Sequence, residues 1–252
     1  AGEAKSEFLA SGDIWFHPIH LSIGPEGAIY IADYYREIIE DYSAIPRYLQ
    51  QQYGLADGNN HGRIWRLTHE EMPEPQSPNL AKLSNIALAS ELASPRHWRR
   101  QTARRILLER GARLPKIALP TDDTDAAVNT LYTLDGLGQL TDNTLADALD
   151  HGEPGVRRHA LRLSDRRFDE SEKLLTAALQ LAVDTSSLVR LQLALSLGES
   201  SDPRALTALA HLARRHGGDQ WLGDAILTSL AGRALDMLVA LIDKPAEAHR
   251  AH

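Results

Sequence analysis

Apolar and polar residues alternate from His20 to Asp33. The string HLSIGPEGAIYIAD sets Leu21, Ile23, Ile29 and Ile31 at every second position on either side of a Gly24-Pro25-Glu26-Gly27 turn. Period two marks a strand with two distinct faces, and Pro25 and Gly27 suit tight-turn geometry, so the spacing predicts a β-hairpin. A third strand is expected in GRIWRLTH around Ile64 and Trp65, and a fourth in EFLAS near Phe8 and Leu9, which together make about one four-stranded unit. Between Tyr34 and Gly62 the alternation stops. That stretch carries Tyr34, Tyr35, Tyr42, Tyr48 and Tyr53 and ends in ADGNNHG, which reads as a turn-rich connection with a short helix around Ile45 to Gln52.

From about Pro78 the rhythm changes to amphipathic helices. LASPRHWRRQTARRILLERG, EPGVRRHALRL and SSLVRLQLALSLGE share one plan: a small or acidic residue, often a proline, an apolar residue followed by Arg, then Ala and Leu at helical spacing. Trp98-Arg99, Val156-Arg157 and Val189-Arg190 mark it, and weaker copies begin near Val128 and Trp221, which predicts five helix pairs recurring roughly every thirty residues. The expected fold is mostly α, a HEAT/armadillo-like superhelix over residues 77–252, preceded by a small antiparallel β segment over residues 1–76. Asp142, Asp169 and Ser201 are the expected N-caps, with Pro95, Pro154 and Pro203 just inside helices and Gly111, Gly152 and Gly198 near their ends. Val156, Ala160, Val189, Ala194 and Leu197 should be buried. The arginines after Trp98, Val156 and Val189 should pair with Glu153, Asp184 and Glu199 of adjacent repeats and order the stack.

Composition narrows the chemistry. The absence of cysteine excludes disulfides, thiolate metal sites, thiol nucleophiles and c-type haem attachment. A net charge of −7 argues against general nucleic-acid binding, although Arg pairs such as Arg157-Arg158 and Arg214-Arg215 form local basic spots. No apolar run approaches the roughly 20 residues of a membrane span, and AGEAKSEF lacks the order of a signal peptide, so the expectation is a processed or truncated chain. The tail from Pro245, with His249 and His252, reads as a disordered end. No Ser-His-Asp set, phosphate loop or paired-carboxylate arrangement stands at a recognisable spacing.

The ordered series FLAS, WFHP, GPEGAIYIADYYREIIE and HGRIWRL, over residues 6–69, resembles the last-blade region of the β-propeller in the planctomycete-type membrane-bound dehydrogenase family. That family is itself similar to quinoprotein glucose and sorbosone dehydrogenases. It commonly continues into helical repeats, and LASPRHWRRQTARRILLERG and TLYTLDGLGQL resemble that region. The resemblance implies a periplasmic or exported parent that oxidises a sugar or alcohol with pyrroloquinoline quinone and passes electrons to a quinone or cytochrome. The family usually has Arg-Pro and then an acid where this chain has His17-Pro18 and His20, and a histidine supplies neither the fixed charge nor the donor fork of an arginine.

By resemblance and position, the candidate cofactor-binding residues are His17, Asp33 and Arg36. His17 and His20 do not read as a metal pair, because that spacing on a strand points them to opposite faces. His61 and Arg63 read as turn hydrogen bonding. One blade's worth of strand cannot surround a quinone, so this chain alone is expected to hold no cofactor and to catalyse nothing, with a protein partner or missing blades completing it. The alternative is a stand-alone HEAT-repeat protein-binding module with a degenerate β cap.

Overall fold

The computed structural model describes residues 7–37, 44–55, 57–58, 60–71 and 79–242, and the expectations for Tyr42, Pro78, Pro245, His249 and His252 lie outside them. The chain divides into two compact units, Ala1–Leu80 with Arg96–Arg99, and Ala81–Pro95 with Arg100–His252.

The first unit carries the sheet. Strands β1 (Pro18–Ile23), β2 (Ile29–Asp33) and β3 (Arg63–Leu67) pair antiparallel in the order β1-β2-β3. Leu21 stands opposite Ile31 and Ile23 opposite Ile29, while Ile31 also faces Trp65 and Asp33 faces Arg63. The hairpin turn closes through the Gly24 amide on the Ala28 carbonyl at 2.9 Å, and Gly27 takes φ +94, a conformation that favours glycine. Buried Glu26 ties the turn to both strands, accepting from the Tyr30 hydroxyl at 2.7 Å and from Arg66 Nε at 2.9 Å. A short helix, α1 (Arg47–Gln52), interrupts the long connection as its pattern predicts.

The expected fourth strand at Phe8 and Leu9 does not form. Beyond it the backbone is captured by local side chains: the Asp13 amide donates to Ser11 Oγ and the Trp15 amide to Asp13 Oδ1, both at 3.1 Å. Such bonds give the chain a turn in place of a ladder. The segment instead lays Leu9 and Phe16 along a cleft with Ile31 and Trp65.

The second unit is a two-layered stack of repeats. Helices α2 (Asn85–Glu91) and α3 (His97–Glu109) precede α4 (Thr124–Gly136), α5 (Asp142–Leu149), α6 (Pro154–Ser164), α7 (Glu172–Gln180), α8 (Ser187–Leu197), α9 (Pro203–His216), α10 (Gln220–Thr228) and α11 (Ala234–Ile242). α4, α6, α8 and α10 pack in succession as one layer, and α5, α7, α9 and α11 as the other. The seam between layers is filled by Leu and Ala with Phe168, and Val156, Ala160, Val189, Ala194 and Leu197 are all buried as their spacing predicts.

The first repeat departs from the expected five pairs. The segment after α3 forms no helix, because Pro115 and Pro120 deny it helical hydrogen bonds. Gln139 holds it, accepting from the Leu114 amide at 2.9 Å and donating to the Ala112 carbonyl at 2.7 Å.

The N-caps fall one or two residues from the expected ones. Thr141, not Asp142, caps α5, and Asp202, not Ser201, caps α9. α7 begins after Ser171, because Asp169 is drawn into a bridge between repeats, accepting from the hydroxyls of Ser200 and Ser201 at 2.8 Å each.

The arginine ladder exists with a shifted start. Arg100, Arg157 and Arg190 each donate to the carbonyl six residues back, on Ser94, His151 and Asp184 at 2.8, 2.8 and 2.6 Å. Arg157 also holds Asp184 of the next repeat through two bonds of 2.7 and 3.0 Å, and Arg100 holds Asp125 at 3.0 Å. On α3 the residue that follows this pattern is Arg100, and the acids the ladder uses are Asp125 and Asp184. Glu153, expected in the ladder, accepts instead from the Thr124 hydroxyl at 3.4 Å.

Candidate functional site

Each unit presents one concentrated set of side chains. In the first, the end of the sheet is organised by Asp33. Alternation along β2 turns Ile29, Ile31 and Asp33 to one face, and Asp33 is buried at the strand's last position. Its Oδ1 accepts from the His17 amide at 2.9 Å and the Tyr35 amide at 3.0 Å. Its Oδ2 accepts from Arg63 Nε and Nη2 at 2.9 and 2.7 Å and from Trp65 Nε1 at 3.0 Å. Burial acts to raise this carboxyl, and the donors from Trp65, His17, Arg63 and Tyr35 outweigh it, holding it below the usual carboxylate range.

The structure brings His17 and Asp33 together through the His17 backbone. The His17 ring turns away, with Nδ1 3.1 Å from the Trp15 carbonyl. Arg36 lies apart over the Tyr34 ring, 4.9 Å from its centroid. The acid–base pair of this region is formed by Arg63, which lies 3.9 Å over the Tyr35 ring and also meets Asp13 at 3.3 Å. Tyr35 itself takes φ +51, rare for a side chain of that size, and packs edge-on against Trp15. An anionic quinone needs free cationic donors. Arg63 is taken up by Asp13 and Asp33, and the Asp33 oxygens carry five donors, so among the candidates Arg36 is the cation left to meet such a group. Among the described residues no three His, Asp or Glu side chains converge as metal ligands.

In the second unit, α6 and α8 border a groove of about 280 Å³ lined by Arg158, His159 and Arg162 on one side and Leu188, Leu191 and Leu195 on the other. Helical periodicity fixes this placement. Burying Val156 and Ala160 of α6, and Val189 and Leu193 of α8, leaves those residues facing out. Equivalent positions recur along the layer: Tyr132, Arg162, Leu195 and Thr228 each stand nine residues past the N-caps Asp123, Glu153, Ser186 and Asp219.

A polar chain leads into the groove from the preceding repeats. Arg104 lies 5.8 Å over the Tyr132 ring, and the Tyr132 hydroxyl is 3.1 Å from His159 Nδ1. His159 Nε2 meets Arg158 Nη2 at 3.5 Å. A guanidinium only donates, so Nε2 accepts and the proton of the neutral ring sits on Nδ1, facing the Tyr132 hydroxyl. Burial, Arg158 and Arg162 all push the imidazole below its ordinary value, which keeps it neutral at pH 7. Beyond Arg162, burial raises the Asp165 carboxyl to about 6; Glu199 adds to the rise, and Ser196, Arg162 and Arg166 oppose it.

Sequence reasoning assigned the arginines directly after Val156 and Val189 to the stack, and read Arg158 only as part of a local basic spot. The signal was present in RRHALRL, where Arg158 and Arg162 stand one helical turn apart and out of phase with Val156 and Ala160.

Among the described residues no helix is long and apolar enough to cross a membrane. A family model described as a domain of unknown function (DUF7133) matches residues 1–71. No curated protein and no solved structure matches the chain. A second family model, described as HEAT repeats, matches residues 143–231, from α5 to just past α10, so this stretch of the helical unit is a HEAT-repeat region.

Proposed function

We propose that the helical repeats dock a protein partner, and that the chain is the C-terminal portion of a dehydrogenase-like propeller protein, exported or periplasmic, whose partner this scaffold holds. The observation that carries the docking reading is the outward row of α4, α6 and α8. There Tyr132, Arg162 and Leu195 occupy equivalent positions, and Leu188 and Leu195 stay exposed beside Arg158 and Arg162, which meet no carboxylate within 4.0 Å among the described residues. A stack of repeats offers such a row as one extended surface. The propeller reading draws support from the sheet. Leu21, Ile23, Trp65 and Leu67 remain exposed on one face, and β1 and β3 each keep an edge without a partner strand among the described residues. Edges and apolar faces of this kind are normally covered, as neighbouring blades would cover them. In that parent, oxidation of a sugar or alcohol belongs to blades beyond these three strands.

The second reading, a stand-alone repeat module with a β cap, draws on Asp33, whose five internal donors hold the sheet end together without further blades.

A photo-cross-linking side chain placed at Leu195 or Thr228 on the first layer, and at Thr176 or Thr207 on the second, tests the docking reading in the source cell. A single protein adduct from the first layer is expected. No protein adduct from any of the four positions overturns it. The coding sequence upstream of Ala1 separates the two readings: further strand-turn-strand repeats support the propeller parent, and a start codon near Ala1 supports the stand-alone module.

A further inference from the structure

Resting on the docking reading, we propose that the groove between α6 and α8 receives an acidic peptide segment of the partner, with its carboxylates on Arg158 and Arg162 and an apolar side chain against Leu188, Leu191 and Leu195.

The arginines of this unit differ in how far they are engaged. Arg100, Arg157, Arg204 and Arg233 are committed to carboxylates or backbone carbonyls of a neighbouring repeat, and Arg190 to the carbonyls ahead of its own helix. Arg158 has only His159 as a bonded partner among the described residues, and Arg162 has no ion pair or hydrogen bond there. In a chain of net charge −7, two guanidiniums on one groove wall with no salt bridge among the described residues are a local reversal of sign. Four residues apart on α6, they stand about 6 Å apart along the helix axis. That spacing suits carboxylates two residues apart on an extended peptide, about 6.6 Å, or four apart on a helix. The opposite wall is three leucines, with Leu188 55% and Leu195 44% exposed. The occupant is therefore a peptide with alternating acidic and apolar residues. A nucleic-acid strand fits less well, because the wall of Leu188, Leu191 and Leu195 offers no donor to a phosphate backbone.

The test is selection from a display library of random 16-residue peptides on the full chain, followed by titration of the recovered peptides. We expect winners rich in Asp and Glu interspersed with Leu, Ile or Phe. Their affinity should fall at least about tenfold for R158E/R162E and about fivefold for Leu191→Ser, weaken with salt, and be unchanged for Arg105→Glu on α3. Bound peptide should also raise the His159 pKa in an NMR titration, and R158Q/R162Q keeps the comparison open should the reversal fail to fold. Winners without acidic enrichment, binding indifferent to both double variants, or displacement of the peptide by a 20-nucleotide single strand would overturn the proposal. Failure here, with a cross-linked partner still recovered from the first layer, sinks the groove assignment and leaves the docking reading standing. Absence of any adduct removes the docking reading itself.

Discussion

At Asp184 a single carboxylate closes the joint between two repeats, receiving both arms of Arg157 and the Ser186 amide at 2.8 Å. Removing it leaves a guanidinium that is only 13% exposed without a counter-charge, which costs about 3 kcal/mol. Asp184→Ala should therefore lower the melting temperature by about 6–12 °C, measurable by circular dichroism. Asp165 behaves in the opposite sense. Its folded pKa of about 6 lies above the ordinary carboxylate value, so its contribution to stability is intact below pH 4 and is lost as pH rises through 6. Asp165→Asn should stabilise the chain by about 1–2 kcal/mol at pH 7, after allowance for solvent at a half-buried site, and by nothing at pH 4. Paired melting curves at the two values check the sign. Residue type and spacing made the ladder legible in the sequence. They could not decide between Arg99 and Arg100, because the helical phase of α3 is set by which side chains the neighbouring helix buries. The Asp33–Arg63 pair was illegible for a different reason: Arg63 arrives through strand pairing thirty residues away.

Among the elements, the helices were the most legible, since their apolar stripes have a single direction in which to be buried. α6 and α8 run where the Val156 and Val189 patterns set them, and Val189→Asp should place an unpaired charge in the seam between layers. We expect loss of more than about 3 kcal/mol, with α6, α8 and α10 losing hydrogen-exchange protection together; an unchanged melt would contradict the packing. Two elements were misread, each through a local competitor of the pattern. Prolines 115 and 120 leave α3 without a following helix to complete its expected pair, and the Ser11 and Asp13 side chains take up the backbone ahead of β1. At the other end α11 exposes Leu235, Leu238, Val239 and Ile242, the kind of face that α9 covers with α11.

For the whole molecule, the sequence divides where its period changes from two to 3.6, and on the proposed reading docking belongs to the helical part and no complete chemistry to the strands. Titrated with pyrroloquinoline quinone, the purified chain should show no submicromolar absorbance change and no dye-linked oxidation of glucose or sorbosone. The donors near Asp33 are already engaged within the sheet, and Arg36 alone is a weak anion site. The groove between α6 and α8 escaped sequence reasoning because it depends on two helices thirty residues apart meeting side by side. Hydrogen exchange of the full chain, with and without the partner recovered by cross-linking, tests the central claim most directly. Slowed exchange over residues 154–166 and 187–197, with residues 18–33 and 63–67 unchanged, is the predicted result; slowing confined to the strands, with the repeats unaffected, would contradict it.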